Sequence, residues 1–420
     1  MTEEFLYYIW QFRLWAHDSK TFSGQDLYIE KPGIRNTNAG PDFLNAQIRI
    51  GDVLWAGNIE IHVKTSDWFF HNHQWDPNYK NLILHVVYHH DLDELPHDCP
   101  LLVLQGKIKP ELIQNYQYLQ ESKSFIFCEN LFQEVDEFTI NNFVESLFIE
   151  RLEKKVNLLD QRLAKLNGDW EALLFERIAY VFGLKINAYA FELLAKSFSF
   201  QILNQLIRKN ENLEAFLFGQ AGFLNSAKDE YQLQLQKEYE FLQHKYQTES
   251  IEQHLFKFLR LRPPNFPTVR IAQLAAFYKF QNKLFAEIMR IPSEKEFLKI
   301  FQNIQASSYW DTHYNFGTES TFEVKTISDE RLRLLLLNAV VPVKYLYQLK
   351  QGNENDESLL ELVRSIKPEE NSIIQKFQKI GAKVENAMDS QAYLELKKNY
   401  CDSKKCLNCR IGNKIIRHVR

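Results

Sequence analysis

Apolar residues recur every three or four positions near the start of the chain, between residues 3 and 15. This spacing is that of one buried face of an α-helix. Thr2 precedes the segment as a candidate N-cap, and Glu3 and Glu4 suit the first turn of a helix. The pattern therefore predicts an amphipathic helix that opens the chain.

The pattern then changes from helical spacing to strict alternation. Phe43–Ile50 and Val53–Lys64 alternate apolar and polar side chains, as half-buried β-strands do. Gly51 and Asp52 lie between them and predict a tight hairpin turn. The stretch 82–88 is apolar apart from one histidine, which is typical of a central strand. Residues 27–30 are a short strand candidate before these three runs, and a further candidate at residues 99–106 extends the predicted sheet to at least four strands.

Helical spacing returns beyond residue 109 and continues almost to the end. Asp169 is a candidate N-cap for a helix over Trp170–Phe182, which Gly183 ends, and Asn187 is a candidate cap for the next helix. The two patterns together predict an α+β protein. Its predicted parts are a β-sheet domain over residues 1–108, a large all-helical region over 109–396 and a basic cysteine-containing element over 397–420.

Composition narrows the class of protein. A chain of 420 residues is long enough for two or three domains, and a net charge of -4 gives no overall signature of nucleic-acid binding. The N-terminus is acidic and has no signal-peptide cleavage pattern, and no run of about 18 apolar residues predicts a membrane helix. Five cysteines do not form a disulfide framework in a chain of this length, so we expect a cytoplasmic protein without a membrane partner.

Three polar side chains alternate along the second strand of the predicted hairpin: Glu60, His62 and Lys64. Period-two geometry places them in one row, about 7 Å apart, but a solvent-exposed strand face shows the same alternation. Asp42 favours a functional site, because the hairpin folds it back toward Glu60. Two carboxylates that meet repel each other unless a cation such as Mg²⁺ or Mn²⁺ lies between them.

This arrangement resembles the PD-(D/E)XK nuclease core, in which a proline-aspartate pair opens one strand and an acid and a lysine follow on the next. The resemblance implies that Asp42 and Glu60 hold a divalent metal and that Lys64 orients the attacking water. His62 stands where the pattern places lysine, two positions after the acid. Either His62 replaces the lysine as a base, or Lys64 keeps its role and His62 replaces the acid as a ligand.

A second constellation of possible metal ligands lies in the same region: His71, His73 and Asp76 in the loop after the second strand, and His85 in the third strand. With Glu60 and His62, these residues predict a Zn²⁺, Mn²⁺ or Fe²⁺ site. The alternative is a structural role for these histidines. Histidines in loops cap turns, and a histidine in a buried strand forms hydrogen bonds within the core.

The last 24 residues carry Cys401, Cys406 and Cys409 in a C-x4-C-x2-C pattern among lysines and arginines. This spacing predicts a knuckle that binds Zn²⁺ or an iron–sulfur cluster, because neighbouring cations favour thiolates. Three residues are candidates for a fourth ligand: His418, Cys128 and Cys99. The alternative is that the cysteines pack a terminal turn. The cations of this segment also predict contact with the phosphates of a nucleic acid.

Several longer motifs occur in series along the chain: GPDF, NAQI, WAGNIEIHVKTSDW, LHVV, DWEALLFERIAYVFG, FLFGQAG, RPPNFPTVRIAQLA and CLNCRIG. The series resembles the domain-of-unknown-function family 2851 over nearly the whole chain, a bacterial family whose resemblance implies no activity. The hypotheses are a metal-dependent, nuclease-like phosphodiesterase acting on nucleic acid, a non-catalytic interaction protein whose helical half binds a partner, and a histidine-ligated transition-metal enzyme.

Overall fold

The computed structural model describes residues 1–16, 19–279, 284–353 and 357–418. The chain forms two compact units. The first combines residues 1–143, 379–381 and 396–420, and the second combines 144–378 and 382–395. The predicted boundaries after residues 108 and 396 do not coincide with the limits of these two units. The cysteine-containing C-terminal element belongs to the same unit as the sheet. Residues 419–420 of that element lie outside the described residues.

A mixed β-sheet forms the core of the first unit. Its described strands are Leu27–Lys31 (β1), Ile34–Arg35 (β2), Phe43–Ile50 (β3), Val53–Lys64 (β4), Leu82–His89 (β5) and Leu101–Val103 (β6). The order across the sheet is β1-β3-β4-β5-β6, and β2 pairs with β3. β1 and β4 run antiparallel to β3, whereas β5 runs parallel to β4, and β6 runs parallel to β5. With the helices that follow, this sheet confirms the predicted α+β class.

The hairpin of β3 and β4 has the predicted turn. Ile50 pairs with Val53, which leaves Gly51 and Asp52 as the two connecting residues. Gly51 has a φ of +55°, a conformation that glycine adopts without the steric cost other residues incur. The hairpin therefore returns the middle of β4 to the start of β3.

Among the described residues, three helices accompany the sheet in the N-terminal part of the first unit: Glu3–Gln11 (α1), Asp67–Phe70 (α2) and Pro110–Glu121 (α3). The side chain of Thr2 accepts a hydrogen bond from the N–H of Phe5, so Thr2 is the N-cap of α1 as predicted. The helix ends before residue 15, because Arg13 takes a left-handed conformation. Trp15 is buried in the turn that follows, which explains why its position fits the apolar spacing.

The chain after residue 136 is mainly helical. The described helices are Glu137–Lys165 (α4), Trp170–Phe182 (α5), Leu184–Lys196 (α6), Phe200–Arg208 (α7), Leu213–Gln220 (α8), Glu230–Tyr246 (α9), Pro267–Lys279 (α10), Leu284–Arg290 (α11), Glu294–Phe301 (α12), Asp329–Leu335 (α13), Val341–Lys350 (α14), Ser358–Ser365 (α15), Ser372–Lys379 (α16), Ala387–Glu395 (α17) and Arg410–His418 (α18). His313–Asn315 (β7) and Thr318–Glu319 (β8) form a small hairpin. Among the helices of the described ranges, none combines the length and the apolarity that crossing a membrane requires.

Two helix caps were predicted in the second unit, and the structure contains one of them. Asp169 accepts a hydrogen bond from the N–H of Ala172, and α5 has the predicted bounds. The prediction that Asn187 caps the next helix is wrong, because α6 already begins at Leu184. The buried side chain of Asn187 instead bonds the backbone N–H and carbonyl of Lys257. A tertiary contact has taken the place of the predicted cap.

Candidate metal centre

Asp42 and Glu60 meet where the start of β3 faces the middle of β4. The backbone N–H of Asp42 donates to Oε2 of Glu60 over 3.1 Å, and the N–H of Ile61 donates to Oδ2 of Asp42 over 3.0 Å. Arg35 binds the other oxygen of Asp42, with Nη1 3.0 Å from Oδ1. The turn at Gly51 therefore brings the two acids together on one side of the sheet.

The pKa values of these two acids shift in opposite directions. Burial raises the pKa of Asp42 to about 6, and the negative charge of Glu60 adds to this effect. Burial also acts to raise the pKa of Glu60, but contacts with His62 and His73 outweigh it and lower that pKa. Asp42 is therefore the weaker acid of the pair, and it gains most from a nearby cation.

The row of polar residues on β4 divides into a buried and an exposed part. Only 4% of Glu60 and 1% of His62 are accessible to solvent, so these two do not belong to a solvated strand face. Lys64 is exposed, and its positive charge contributes to the lowered pKa of Asp91, the residue two positions after the end of β5. Within the described part of the chain, no contact joins the Lys64 side chain to Asp42 or Glu60. The structure thus leaves Lys64 outside the cluster in which the sequence placed it.

The loop after β4 brings His71 and His73 back to His62 on the strand. α2 ends at this point, and Asn72, with a φ of +61°, turns the chain between His71 and His73. Ring nitrogens of His62, His71 and His73 all lie within 4.8 Å of one another. Nδ1 of His71 is 3.2 Å from Nε2 of His62. Oε1 of Glu60 lies 3.3 Å from Nε2 of His62 and 3.1 Å from Nε2 of His73.

These separations suit a shared metal ion. Bonds of about 2.0–2.1 Å to a central ion place neighbouring ligand atoms about 3.0–3.4 Å apart. Nε2 of His73 is buried and has no hydrogen-bond partner among the described residues, although Oε1 of Glu60 is close. Two ligand atoms of one ion approach each other in this way. His62, His71 and His73 therefore fit a divalent transition metal, and Glu60 lies against two of the three imidazoles.

His85 lies one layer behind these residues, contrary to its predicted place among the ligands. Its Nε2 is 2.8 Å from Nδ1 of His62, and its Nδ1 is 3.0 Å from Nε2 of His97. Both ring nitrogens are thus engaged, and burial, followed by the neighbouring imidazoles, holds the pKa of His85 well below its usual range. The N–H of Cys99 donates to Nδ1 of His97. The carboxylate of Asp76 caps the short 3₁₀ helix that follows it, and Asp76 is not in the group formed by the three histidines.

Aromatic residues that sequence reasoning missed enclose the cluster. Trp68 is buried, with its ring centroid 4.4 Å from that of His97, and the ring of Tyr79 stacks on His73 at 4.1 Å. Two signals could have found these residues. The loop after β4 is rich in aromatic residues, and His97 shortly precedes β6, the parallel neighbour of the strand that holds His85.

A cavity of about 710 Å³ in the first unit adjoins Asp42 through Arg35 and Tyr7. Its lining combines cationic or imidazole groups with aromatic rings: Arg35, Arg410, Lys414, Arg417 and His418, with Tyr7, Tyr8 and Phe12. Nε of Arg417 donates to the hydroxyl of Tyr8, and the guanidinium lies 4.2 Å from the ring centroid of Phe12. Cations and aromatic faces thus occur together beside the acidic pair.

The three C-terminal cysteines are free thiols in the first unit, on the segment that leads into α18. Of the candidates for a fourth ligand, His418 lines the cavity, and Cys99 lies beside His97. Cys128, the remaining candidate, follows α3 in the same unit.

The comparisons with known proteins give a family but no activity. No curated protein matches the chain, and no solved structure matches it. The family described as "Protein of unknown function (DUF2851)" matches residues 3–372, which is most of the chain and includes the whole histidine cluster. The chain belongs to the DUF2851 family.

Proposed function

We propose that this protein is a metal-dependent phosphodiesterase of the nuclease type, acting on nucleic acid. The observation that carries the proposal is the meeting of Asp42 and Glu60 beside His62, His71 and His73. In the PD-(D/E)XK pattern two acids of one hairpin hold the metal, and the hydrogen bond from the N–H of Asp42 to Glu60 supports giving these two residues that role. A divalent cation bound there would polarise a phosphoryl group and activate water.

The ligand chemistry favours a transition metal. Mg²⁺ prefers oxygen ligands and keeps several waters, whereas imidazole nitrogens suit Mn²⁺, Fe²⁺ or Zn²⁺. Three imidazoles and the carboxylate of Glu60 converge here. The nuclease hypothesis and the hypothesis of a histidine-ligated metal enzyme therefore describe one site.

Neighbouring residues hold these groups in place. The N–H of Ile61 and the guanidinium of Arg35 fix the carboxylate of Asp42. His85 and His97 form a hydrogen-bonded chain behind His62 and so fix its ring orientation. Partners of this kind tune a metal ligand, and their loss typically costs about 10–100-fold in affinity or activity.

The cavity beside Asp42 indicates the class of substrate. Arg35 borders both the acidic pair and the cavity, and its guanidinium lies 3.7 Å from the ring centroid of Tyr7. Cations that follow a phosphate backbone, combined with aromatic faces on which bases stack, are the usual elements of a site for a single strand. We therefore place a single-stranded nucleic acid in this cavity, with a phosphate near Arg35.

The function is tested by incubating the purified protein with plasmid, single-stranded DNA and RNA. We expect cleavage in the presence of Mn²⁺ and none in excess chelator, because the acidic pair binds phosphate only through a cation. Cleavage that is equally fast with chelator, or the absence of cleavage of all three substrates with Mn²⁺, Fe²⁺ and Zn²⁺, would contradict the proposal.

Substitution of Arg410 and Lys414 by glutamine tests the cavity as the binding surface. Both side chains line it, and we expect affinity for single-stranded DNA to fall about tenfold at low salt. The slope of log affinity against log salt should become shallower by roughly 1–2, since two phosphate contacts are lost. Fluorescence anisotropy measures both quantities. Lys31→Gln with Lys123→Gln, two exposed lysines away from the cavity, is the matched control and should leave the slope unchanged.

A further inference from the structure

Four of the five cysteines belong to one part of the first unit. Cys401, Cys406 and Cys409 precede α18, and Cys128 follows α3. None of them is in a disulfide. Cys128, Cys406 and Cys409 are each less than a tenth exposed, and Cys401 is half-buried.

The segment that leads to Cys128 lies beside the C-terminal turn. The ammonium of Lys397 is 5.1 Å from the ring centroid of Phe125, and that of Lys404 is 5.7 Å from Phe127. Cys128 follows Phe127 directly, and the 3₁₀ helix that begins after it, Glu129–Glu134, contacts α18. A fourth sulfur, distant in sequence, therefore lies in the same region as the three that the C-x4-C-x2-C pattern groups together.

The chain turns tightly between Cys406 and the start of α18, with Cys409 buried in the turn. A Cβ at residue 412 would overlap the carbonyl oxygen of Cys406, so only glycine permits a turn this tight. Thiols that merely pack a chain terminus do not require this arrangement.

A single ion and a cluster require different separations of the four sulfurs. Four thiolates around one Zn²⁺, bound at about 2.3 Å, are about 3.8 Å apart. Among the described residues, the cysteines contribute no group of three ligand atoms within 4.8 Å of one another. In a [4Fe–4S] cluster each thiolate binds a different iron, which spreads the sulfurs to roughly 6 Å.

We infer that Cys128, Cys401, Cys406 and Cys409 are the four ligands of a [4Fe–4S] cluster. The cluster ties α18 to the segment that follows α3. Because α18 carries Lys414 and Arg417, it also holds the cations of the cavity in place. The inference about the cluster does not depend on the proposed phosphodiesterase activity.

The test is anaerobic purification, followed by reconstitution of the full chain with ferrous iron and sulfide. We expect about four iron and four acid-labile sulfide per chain, with a broad absorbance band at about 400 nm. Cys128→Ser should lose most of both, and Cys401→Ser should behave in the same way. The matched control is Cys99→Ser, which removes the fifth cysteine and should keep the full content.

Three results would overturn the inference. Cys128→Ser could retain the iron and sulfide of the parent protein, the parent could bind one Zn²⁺ without sulfide, or the parent could bind no metal at the cysteines after reconstitution. Circular dichroism shows whether the serine variants are folded. If Cys128→Ser does not fold, the half-buried Cys401 gives the decisive variant, and full cluster content in it would equally overturn the assignment.

Discussion

Asp42→Asn is expected to slow metal-dependent cleavage by roughly 10²–10³-fold, the usual effect of removing one preorganised electrostatic group from an active site. Asparagine keeps the size of the side chain and one oxygen that can accept from the N–H of Ile61. What it removes is the negative charge beside Glu60. The loss should therefore appear in kcat at saturating Mn²⁺, with little change in circular dichroism.

Two variants on the same hairpin control for this experiment. Asp52→Asn makes the same chemical change in the exposed turn and should cleave at the parental rate. Lys64→Ala should also keep most of the activity, because the structure places that side chain outside the cluster. A loss in Lys64→Ala equal to that in Asp42→Asn would restore the role that the sequence pattern gave to the lysine.

Added Mn²⁺ is expected to stabilise the protein against thermal unfolding. An ion at 100 times its dissociation constant, binding only the folded state, contributes about 2.7 kcal/mol. The effect should be largest above pH 7 and should decline as the pH falls through about 6, because Asp42, whose pKa burial raises to about 6, then takes up a proton. Mg²⁺ at the same concentration should give a smaller shift, since it binds imidazole weakly.

Variants assign this stabilisation to the histidines. His71→Ala and His73→Ala should each lose most of the Mn²⁺-dependent shift in melting temperature, because each removes one ligand nitrogen. His89→Ala is the matched control, since His89 is exposed at the end of β5 and contacts Gln105 instead. Equal shifts in all three variants would place the ion elsewhere in the chain.

Local sequence patterns predicted the elements that carry the carboxylates, and the reason is physical. Alternation and a two-residue turn specify the β3–β4 hairpin within a short stretch, so the approach of Asp42 to Glu60 follows from the sequence alone. The bounds of α5 follow from its apolar spacing and from the cap at Asp169. Neither prediction requires knowledge of distant residues.

The remaining features depend on contacts that no local pattern encodes. His97 reaches His85 because β6 pairs in parallel beside β5, and Cys128 reaches the C-terminal cysteines from a different region of the chain. The alternation of polar residues on β4 also does not show which of them the fold buries. The sequence pattern therefore grouped Lys64 with Glu60, although Glu60 is buried and Lys64 is exposed.

We propose that Glu60 and three histidines hold one divalent transition metal. Titration of the protein with Mn²⁺, with electron paramagnetic resonance monitoring the free ion, measures this binding. We predict one tight site per chain in the parent and in Cys128→Ser, and binding at least about tenfold weaker in Glu60→Gln and His73→Ala. Undiminished Mn²⁺ binding in both of these ligand variants, or no tight site in the parent protein, would contradict the claim.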